Sequence, residues 1–433
     1  MTRVILSGGR IIDPAAAHDA PGDLVIEGGR IAFVGPPAEP RPGDETVDCA
    51  GRLVLPGFVD LHVHLREPPL PGGERDPSLP ETIATGAAAA VAGGFTTVCA
   101  MPNTDPPIDD PDHIRHYLAR GREVGLARVM PVGTMTRGRR GREVADLAAM
   151  LAAGAVAFSD DGSDVADGAV FEAVLREVAR LGAVAICHAE DANLAAGGVV
   201  NDGPLATALG LPGIPAEAEI RAVRRACRAA ARAGCRLHVA HVSTAGAVAA
   251  VREAKAAGAA VTAEATPHHL ALTDDALRSR GACFRVNPPL RSAGDMAAVL
   301  EGVRDGTIDC LATDHAPHSV AAKARGLADA PPGMIGLESA LPVYVRTLVD
   351  TGILAWPDLV ARMTLGPARA LALDAGTLAE GAPPDVTVVD PEAEWTIDPE
   401  AFASRARNCP FARWRARGKV VLTFVGGRAA YRA

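Results

Sequence analysis

The sequence predicts an α/β fold, a (β/α)8 TIM barrel with a small β-sandwich domain formed by both termini. In the middle of the chain, short β-like runs alternate with Ala-rich stretches that favour helix. Both ends instead contain β-rich runs cut by pairs of Gly, a pattern typical of hairpins. We therefore divide the chain into residues 1–56 and 371–433, which form the two parts of the sandwich, and residues 57–370, which form the barrel.

The runs of the central region predict the barrel because helical stretches lie between most of them. They are Phe58–His64, Thr96–Asn103, Val129–Thr136, Ala155–Asp161, Val184–His188, Leu237–Ser243, Val261–His268 and Cys310–His315. Alternating βα units build a parallel sheet, and eight of them close into a barrel. An open doubly wound sheet is the alternative, but no glycine-rich phosphate loop follows the first run.

Composition excludes several classes of function. The 433 residues are 48% hydrophobic, yet we find no apolar run of the length that a membrane span needs. A net charge of −9 without a basic stripe argues against a nucleic-acid partner. The eight cysteines form no CxxC pair, and the first residues do not resemble a signal peptide. We expect a cytoplasmic protein with reduced thiols.

The first barrel run contains the first residues that indicate a metal site. Alternate residues of a strand face the same side, so His62, His64 and Arg66 can all point into the barrel. Two imidazoles at this spacing can chelate one zinc ion. Because active sites of such barrels lie at the carboxyl ends of the strands, the pair predicts a metal site at the barrel mouth.

Further ligands end other runs: Asp160 and Asp161, His188, His241 and Asp314. This set exceeds the needs of one tetrahedral zinc site, and two ions bridged by a carboxylate would use all of it. Alternation places Ala157, Ser159 and Asp161 inward, which favours Asp161 as the bridge. Asp160 stays open as the alternative.

Three more histidines are interpreted differently. His238 lies three residues before His241, so the two cannot both face inward from a regular strand. We expect His238 to pack or to orient a neighbour instead of binding metal. The same interpretation is given to His268 and His269.

Several separate motifs resemble the dihydroorotase family, and they appear in its order. They are Gly57–Pro68 around the His62-Val63-His64 pair, Gly93–Val98 followed by Met101–Thr104, and Ala312–His318. The resemblance extends over almost the whole chain and is closest to the bacterial, single-function type. It implies a zinc-dependent cyclic amidohydrolase that interconverts dihydroorotate and N-carbamoyl-aspartate in pyrimidine biosynthesis.

The resemblance also implies roles for single residues. His62 and His64 would bind one zinc ion with Asp314, and His188 and His241 would bind the second. Many relatives bridge the two ions with a carboxylated lysine. The three lysines of this chain, Lys255, Lys323 and Lys419, end none of the predicted strands, so the bridge should be an aspartate.

Substrate contacts are implied in the same way. Arg66, Asn103 and His318 would bind the substrate carboxylate, Asn287 would contact the ring, and His64 also lies among the substrate contacts. The backbone at Pro332 and Gly333 would contact the ring as well. Asp314 would be the general base. We expect a homodimer, and association with aspartate carbamoyltransferase stays open.

Two rival functions remain in view. Dihydropyrimidinase, hydantoinase and allantoinase resemble this chain in fold, but usually carry the lysine bridge and lack an Arg two residues after the histidine pair. A non-catalytic subunit of aspartate carbamoyltransferase would lack metal ligands, and none is missing here. The sequence departs from the family at residues 69–80, a longer loop than expected, and at Pro332, where an aromatic residue is expected.

Overall fold

The structure, a computed structural model, describes residues 3–433, with the side chains at positions 279 and 280 outside the description. Its strands are, in chain order, β1 (Val4–Asp13), β2 (His18–Glu27), β3 (Arg30–Gly35), β4 (Glu45–Asp48), β5 (Leu53–Pro56), β6 (Phe58–Val63), β7 (Phe95–Ala100), β8 (Arg128–Pro131), β9 (Val184–Cys187), β10 (Val200–Asn201), β11 (Gly213–Ile214), β12 (Arg236–Val239), β13 (Val261–Ala265), β14 (Cys310–Leu311), β15 (Val386–Thr396), β16 (Arg415–Val425) and β17 (Arg428–Arg432).

The helices lie mostly between barrel strands. They are α1 (Ile83–Ala92), α2 (Pro111–Val124), α3 (Leu147–Ala153), α4 (Gly168–Arg180), α5 (Ala192–Ala195), α6 (Pro204–Leu209), α7 (Ala216–Ala233), α8 (Ala245–Ala256), α9 (Pro267–Ala271), α10 (Leu277–Arg280), α11 (Ala293–Asp305), α12 (Val320–Lys323), α13 (Ala340–Tyr344), α14 (Trp356–Met363) and α15 (Leu365–Leu371). No helix in the described part of the chain is both long and apolar enough to cross a membrane.

The predicted barrel is confirmed. β6, β7 and β8 form one parallel group, and β9, β12, β13 and β14 form a second. Phe158 joins the two groups through single bridges to Gly133 and Ala185. A bridge between Val63 and His315 closes the ring on its other side.

The fourth position of the barrel is much shorter than the predicted run Ala155–Asp161. Ala157 packs in the apolar cluster inside the barrel, whereas Phe158 packs outward among helix side chains. From Asp160 the backbone turns away, with the Ser163 amide bound to the Asp160 carbonyl at 2.9 Å. The other runs also end earlier than predicted, because their last residues leave the ladder to form the barrel mouth.

The two termini share one β domain, as predicted. Its strands form a mixed sheet in the order β17-β16-β15-β5-β1-β2-β3, with β4 paired to β1. Side chains from strands of both termini meet in one apolar cluster, which includes Leu6, Leu24, Val54, Val388 and Phe424. The division at residues 56 and 371 stays a prediction, and residues 1 and 2 lie outside the described chain.

The segment between β15 and β16 leaves this sheet and packs on the barrel mouth. Ile397 and Phe411 from the segment share an apolar cluster with Phe284 and Met334 of the barrel loops. The C-terminal region therefore reaches the end of the barrel where the predicted site lies.

The turn from α1 into β7 depends on a glycine. A Cβ at Gly93 would overlap the carbonyl oxygen of Leu337, which is backbone and cannot move aside cheaply. We expect Gly93→Ala to lower the free energy of unfolding by roughly 1–3 kcal/mol, the usual range for overpacking. Thermal denaturation measures it. Gly168→Ala is the matched control, since nothing lies within 4 Å of its added Cβ; equal melting temperatures of the two variants would contradict the prediction.

Candidate active site

A cavity of about 250 Å³ opens at the carboxyl ends of the barrel strands. Its lining brings together nearly all the residues predicted from the sequence. These are His64, Arg66, Asn103, Asp161, His188, His241, Asn287, Asp314, His318, Pro332 and Gly333. His62 lies beside this lining and is fully buried.

The two histidines of the first strand present the same ring atom to one point. His62 Nδ1 lies 2.7 Å from Glu264 Oε1, and His64 Nδ1 lies 2.8 Å from Asn103 Oδ1. Because an acceptor oxygen on Nδ1 requires the hydrogen there, each ring in its neutral form has its lone pair on Nε2. Both Nε2 atoms are thus prepared to bind a metal ion.

Asp161 lies at the centre of the predicted ligands. Its Oδ1 is 3.3 Å from His62 Nε2, 3.6 Å from His188 Nδ1 and 3.9 Å from His241 Nε2, while its Oδ2 is 3.6 Å from His64 Nε2. Burial alone would raise the pKa of this carboxyl, but the neighbouring imidazoles hold the pKa well below its usual value. A single carboxylate therefore faces both predicted metal positions.

Asp160 is turned away from this cluster. Its Oδ1 accepts hydrogen bonds from the amides of Met135 and Thr136, and its Oδ2 accepts from the Thr136 hydroxyl. Its oxygens are thus engaged with the loop after β8. This arrangement favours Asp161 over Asp160 as the bridge.

Asp314 approaches the first pair from the opposite side. Its Oδ1 is 3.1 Å from His64 Nε2 and 3.6 Å from His62 Nε2. The backbone at Asp314 is left-handed, with φ of 47°, and His241 and Arg66 also have positive φ values, of 33° and 60°. Such strained positions in non-glycine residues cluster where side-chain placement matters for function.

Three atoms of the cluster are buried without a hydrogen-bond partner among the described residues: His62 Nε2, Asp161 Oδ1 and His241 Nδ1. Unpaired buried polar atoms are costly and rare. Two sets of ligand atoms also lie within 4.8 Å of one another, namely His62, Asp161 and His241, and His62, His64 and Asp314. Imidazole and carboxylate donors in this arrangement fit divalent metal ions.

The wall beside the cluster carries the predicted carboxylate contacts. Arg66 Nε donates to the Pro317 carbonyl at 3.3 Å, and its guanidinium lies 3.5 Å from His318 Nε2. Asn103, which lines the cavity, accepts from His64 with its carbonyl oxygen, and its NH₂ group donates to Asp161 Oδ2 at 3.4 Å with one of its two hydrogens. Burial and the charge of Arg66 lower the pKa of His318 to about 3, so this imidazole is neutral.

Asn287 also lines the cavity, where its side-chain amide lies beside His188. Its amide nitrogen lies 3.4 Å from His188 Nε2, and its Oδ1 has no partner among the described atoms. A free amide oxygen in the cavity suits the N–H of a ring substrate.

Glu264, at the end of β13, is a residue that sequence analysis missed. The carboxylate is fully buried and bridges His62 Nδ1, at 2.7 Å, and His238 Nε2, at 3.0 Å; it also accepts the amide of His241 at 3.2 Å. It therefore orients two predicted ligands at once. The only signal was its inward position two residues before Thr266-Pro267, which carries no motif.

The remaining histidines agree with their interpretation. His238 is held between Glu264 and Thr262 Oγ1, at 2.8 Å. His269 lies between Thr266 Oγ1 and the Pro288 carbonyl. His268 is buried against the His269 ring, outside both sets of ligand atoms.

No lysine lies at the centre of the cluster. Lys255 pairs with Asp309 on the outside of the barrel, and Lys419 stands over the Trp395 ring. Lys323 is buried near the mouth, but its Nζ donates to two backbone carbonyls. An aspartate in place of a lysine at the centre is thus consistent with the geometry.

Solved structures similar to this one share the fold over its full length. The L-hydantoinase (dihydropyrimidinase) from Arthrobacter aurescens aligns with a TM-score of 0.84 and 27% identity, covering 99% of this chain and 96% of that chain. The dihydropyrimidinase from Brevibacillus agri aligns with a TM-score of 0.82 at 22% identity, a likeness of fold alone. Together with the His/Asp cluster, this architecture defines a metal-dependent amidohydrolase.

Proteins similar in sequence identify the family within this class of amidohydrolases. A family model described as Dihydro-orotase-like matches residues 51–247. The dihydroorotase of Syntrophotalea carbinolica is 46% identical over 430 residues, covering 99% of both chains. That of Anaeromyxobacter sp. strain K is 49% identical over 431 residues, covering 99% of this chain and 98% of that protein. The chain belongs to the dihydroorotase family.

Proposed function

We propose that the chain catalyses the reversible cyclisation of N-carbamoyl-L-aspartate to (S)-dihydroorotate in pyrimidine biosynthesis. One observation carries the proposal: a cationic and amide-lined wall stands directly beside the His/Asp cluster in a single cavity. A ring that bears a carboxylate needs both parts, one to hold the charge and one to support reaction at the ring carbonyl. The family membership agrees with this substrate.

The wall would bind the carboxylate through Arg66, Asn103 and His318. A guanidinium forms paired hydrogen bonds with a carboxylate, and these are among the stronger polar interactions in proteins. The Asn103 NH₂ group adds a neutral donor. His318 is neutral, and its one hydrogen, on Nε2, would be shared between the Pro332 carbonyl and the substrate carboxylate.

The cluster would hold two zinc ions. His62, His64 and Asp314 offer one set of ligand atoms. His188 and His241 would bind the second ion, and Asp161 lies near both pairs of histidines. Zinc ions bound there would act as Lewis acids that polarise the ring carbonyl and make water a better nucleophile at neutral pH.

Asp314 would move the proton. In ring opening, water adds to the ring carbonyl carbon and the bond from that carbon to the ring nitrogen breaks. Asp314 would accept the proton from the attacking water and return it to the departing nitrogen. In ring closure the same carboxyl group would take the proton from the ureido nitrogen, as that nitrogen bonds to the substrate's carboxyl carbon, and pass it to the hydroxide that leaves as water.

A ring without a carboxylate is the rival substrate, as in dihydropyrimidine or hydantoin hydrolysis. Arg66 speaks against it, because an uncharged ring would leave a half-buried guanidinium in the cavity wall without its partner. The homodimer, an association with aspartate carbamoyltransferase and the cytoplasmic location stay predictions.

The substrate is tested by offering zinc-loaded protein dihydroorotate, dihydrouracil, hydantoin and allantoin in parallel, with ring opening followed by absorbance. We expect turnover of dihydroorotate. In Arg66→Met, KM for dihydroorotate should rise about ten- to a hundredfold, since a charge-assisted carboxylate contact is lost. Arg304→Met, which removes an exposed arginine of α11, is the control. Turnover of another ring without turnover of dihydroorotate would exclude the proposal.

The metal centre is tested through Glu264. Zinc analysis of the unaltered protein should give about two ions per chain. Glu264→Gln removes the charge that orients His62, and should weaken zinc binding by about ten- to a hundredfold. Competition with a chromophoric chelator measures the affinity. Glu301→Gln, on the exposed face of α11, should leave it unchanged; equal affinities in all three proteins would count against the proposed role of Glu264.

The proton transfer is tested with Asp314→Asn, assayed at saturating zinc. We expect kcat to fall about a hundredfold or more, the usual contribution of a positioned general base. Zinc analysis of the same samples separates this effect from loss of metal. Asp305→Asn, which alters a surface ion pair with Arg252, serves as the control. A variant that kept full kcat would remove Asp314 from this role.

A further inference from the structure

One edge of the cavity is formed by residues 331–333, and each of its three carbonyls is bound by a different side chain. The Pro331 carbonyl accepts from Lys323 Nζ at 2.9 Å, the Pro332 carbonyl from His318 Nε2 at 2.8 Å and the Gly333 carbonyl from Asn408 Nδ2 at 3.0 Å. Two prolines have no N–H, and the Gly333 N–H donates to the Arg285 carbonyl at 2.9 Å. This edge is therefore held entirely by other parts of the chain.

Lys323 joins this edge to the adjoining segment at Arg285. Its side chain is buried, with 5% of the residue exposed, although it ends a short helix at the surface. Nζ also donates to the Arg285 carbonyl at 3.1 Å, the same oxygen that receives the Gly333 N–H. Val286 and Asn287, which follow Arg285, line the cavity. One ammonium group thus ties together two adjoining parts of the cavity lining.

Lysine is a rare residue in this chain. The chain has 43 basic residues, only three of them lysines, so arginine is the usual cation here. An ammonium group is a compact donor with three N–H groups at the end of a flexible stem, and at this position it binds two carbonyls. Burial lowers the pKa of Lys323 to about 8. Both its protonated and its neutral form have enough N–H groups for the two carbonyls.

Asn408 holds the same edge from the other side. It is buried and comes from the segment between β15 and β16. Its NH₂ group donates to the carbonyls of Ala316, at 3.1 Å, and Gly333, while its Oδ1 accepts the amide of His318 at 3.3 Å. Every hydrogen-bonding atom of this carboxamide is used to tie the loop after β14 to the 331–333 edge.

The surroundings of Gly333 show that the 331–333 edge packs closely against the loop after β14. A Cβ at this position would lie 2.8 Å from both the Ala316 carbonyl oxygen and His318 Nε2, and its φ of 142° is unsuited to other residues. His318 is consequently packed against the edge to which its own ring donates. Because a carbonyl can only accept, Nε2 carries the hydrogen in this arrangement.

We infer that Lys323 and Asn408 are positioning residues for recognition of the substrate carboxylate. They fix the carbonyls on either side of Pro332, and the Pro332 carbonyl in turn sets the direction of the His318 ring beside Arg66. Neither residue lines the cavity. The inference rests on the proposed function, since it assigns Arg66 and His318 to a carboxylate-bearing ring.

The test compares Lys323→Met and Asn408→Ala with the unaltered protein by steady-state kinetics on dihydroorotate. KM should rise about tenfold or more, because His318 and the edge lose their hydrogen-bonded support, while kcat changes by less than about threefold. Zinc content should be unchanged. Lys255→Met is the matched control, since Lys255 also donates to a backbone carbonyl, that of Gly306, but lies far from the mouth.

Each outcome decides the matter. A normal KM in folded Lys323→Met and Asn408→Ala overturns the inference. A fall in kcat as large as the rise in KM also overturns it. So does a rise in KM of the same size in Lys255→Met. If Lys323→Met does not fold, as judged by thermal melting, Asn408→Ala carries the same expectation. An unaltered protein that is inactive on dihydroorotate overturns the proposed function and this inference together; an active one with unaffected variants overturns the inference alone.

Discussion

The buried carboxylate of Asp161 is the constraint around which the barrel mouth is arranged. Four imidazoles from three other strand ends approach it, and one of its oxygens has no hydrogen bond among the described residues. A buried charge of this kind is stable only beside cations. The convergence of the strand ends and the capacity to bind metal are therefore two aspects of one arrangement, and binding of metal would add to the stability of the fold.

The sequence revealed the parts of the site that lie on strand ends. His62 and His64 stand two residues apart, and His188, His241 and Asp314 lie at or near the ends of β-like runs, so barrel geometry alone predicted that they gather at the barrel mouth. Alternation correctly separated Ala157 from Phe158. The length of the fourth strand could not be predicted, because the turn at Asp160 depends on hydrogen bonds to Met135 and Thr136 from another loop.

The parts that escaped prediction act through contacts between distant segments. Glu264 reaches His62 across 202 positions, and Asn408 reaches Ala316 across 92. Neither has a local pattern that distinguishes it from a buried polar residue of the core. The sequence indicated only that Lys323 ends no predicted strand and cannot bridge the metal ions. Its carbonyl partners lie elsewhere in the sequence and meet it only in the folded chain.

The terminal sheet has a consequence for the order of folding. β5 pairs with β15, which joins Leu53–Pro56 to Val386–Val389. This pairing cannot form until Val386–Val389 has been synthesised, more than three hundred residues later. Until then the edge of β5 is unpaired and open to wrong partners on a nascent chain. Asn408 is also synthesised after all the barrel strands. We expect the barrel to form early during translation, whereas a competent substrate entrance is completed only when the last segment docks.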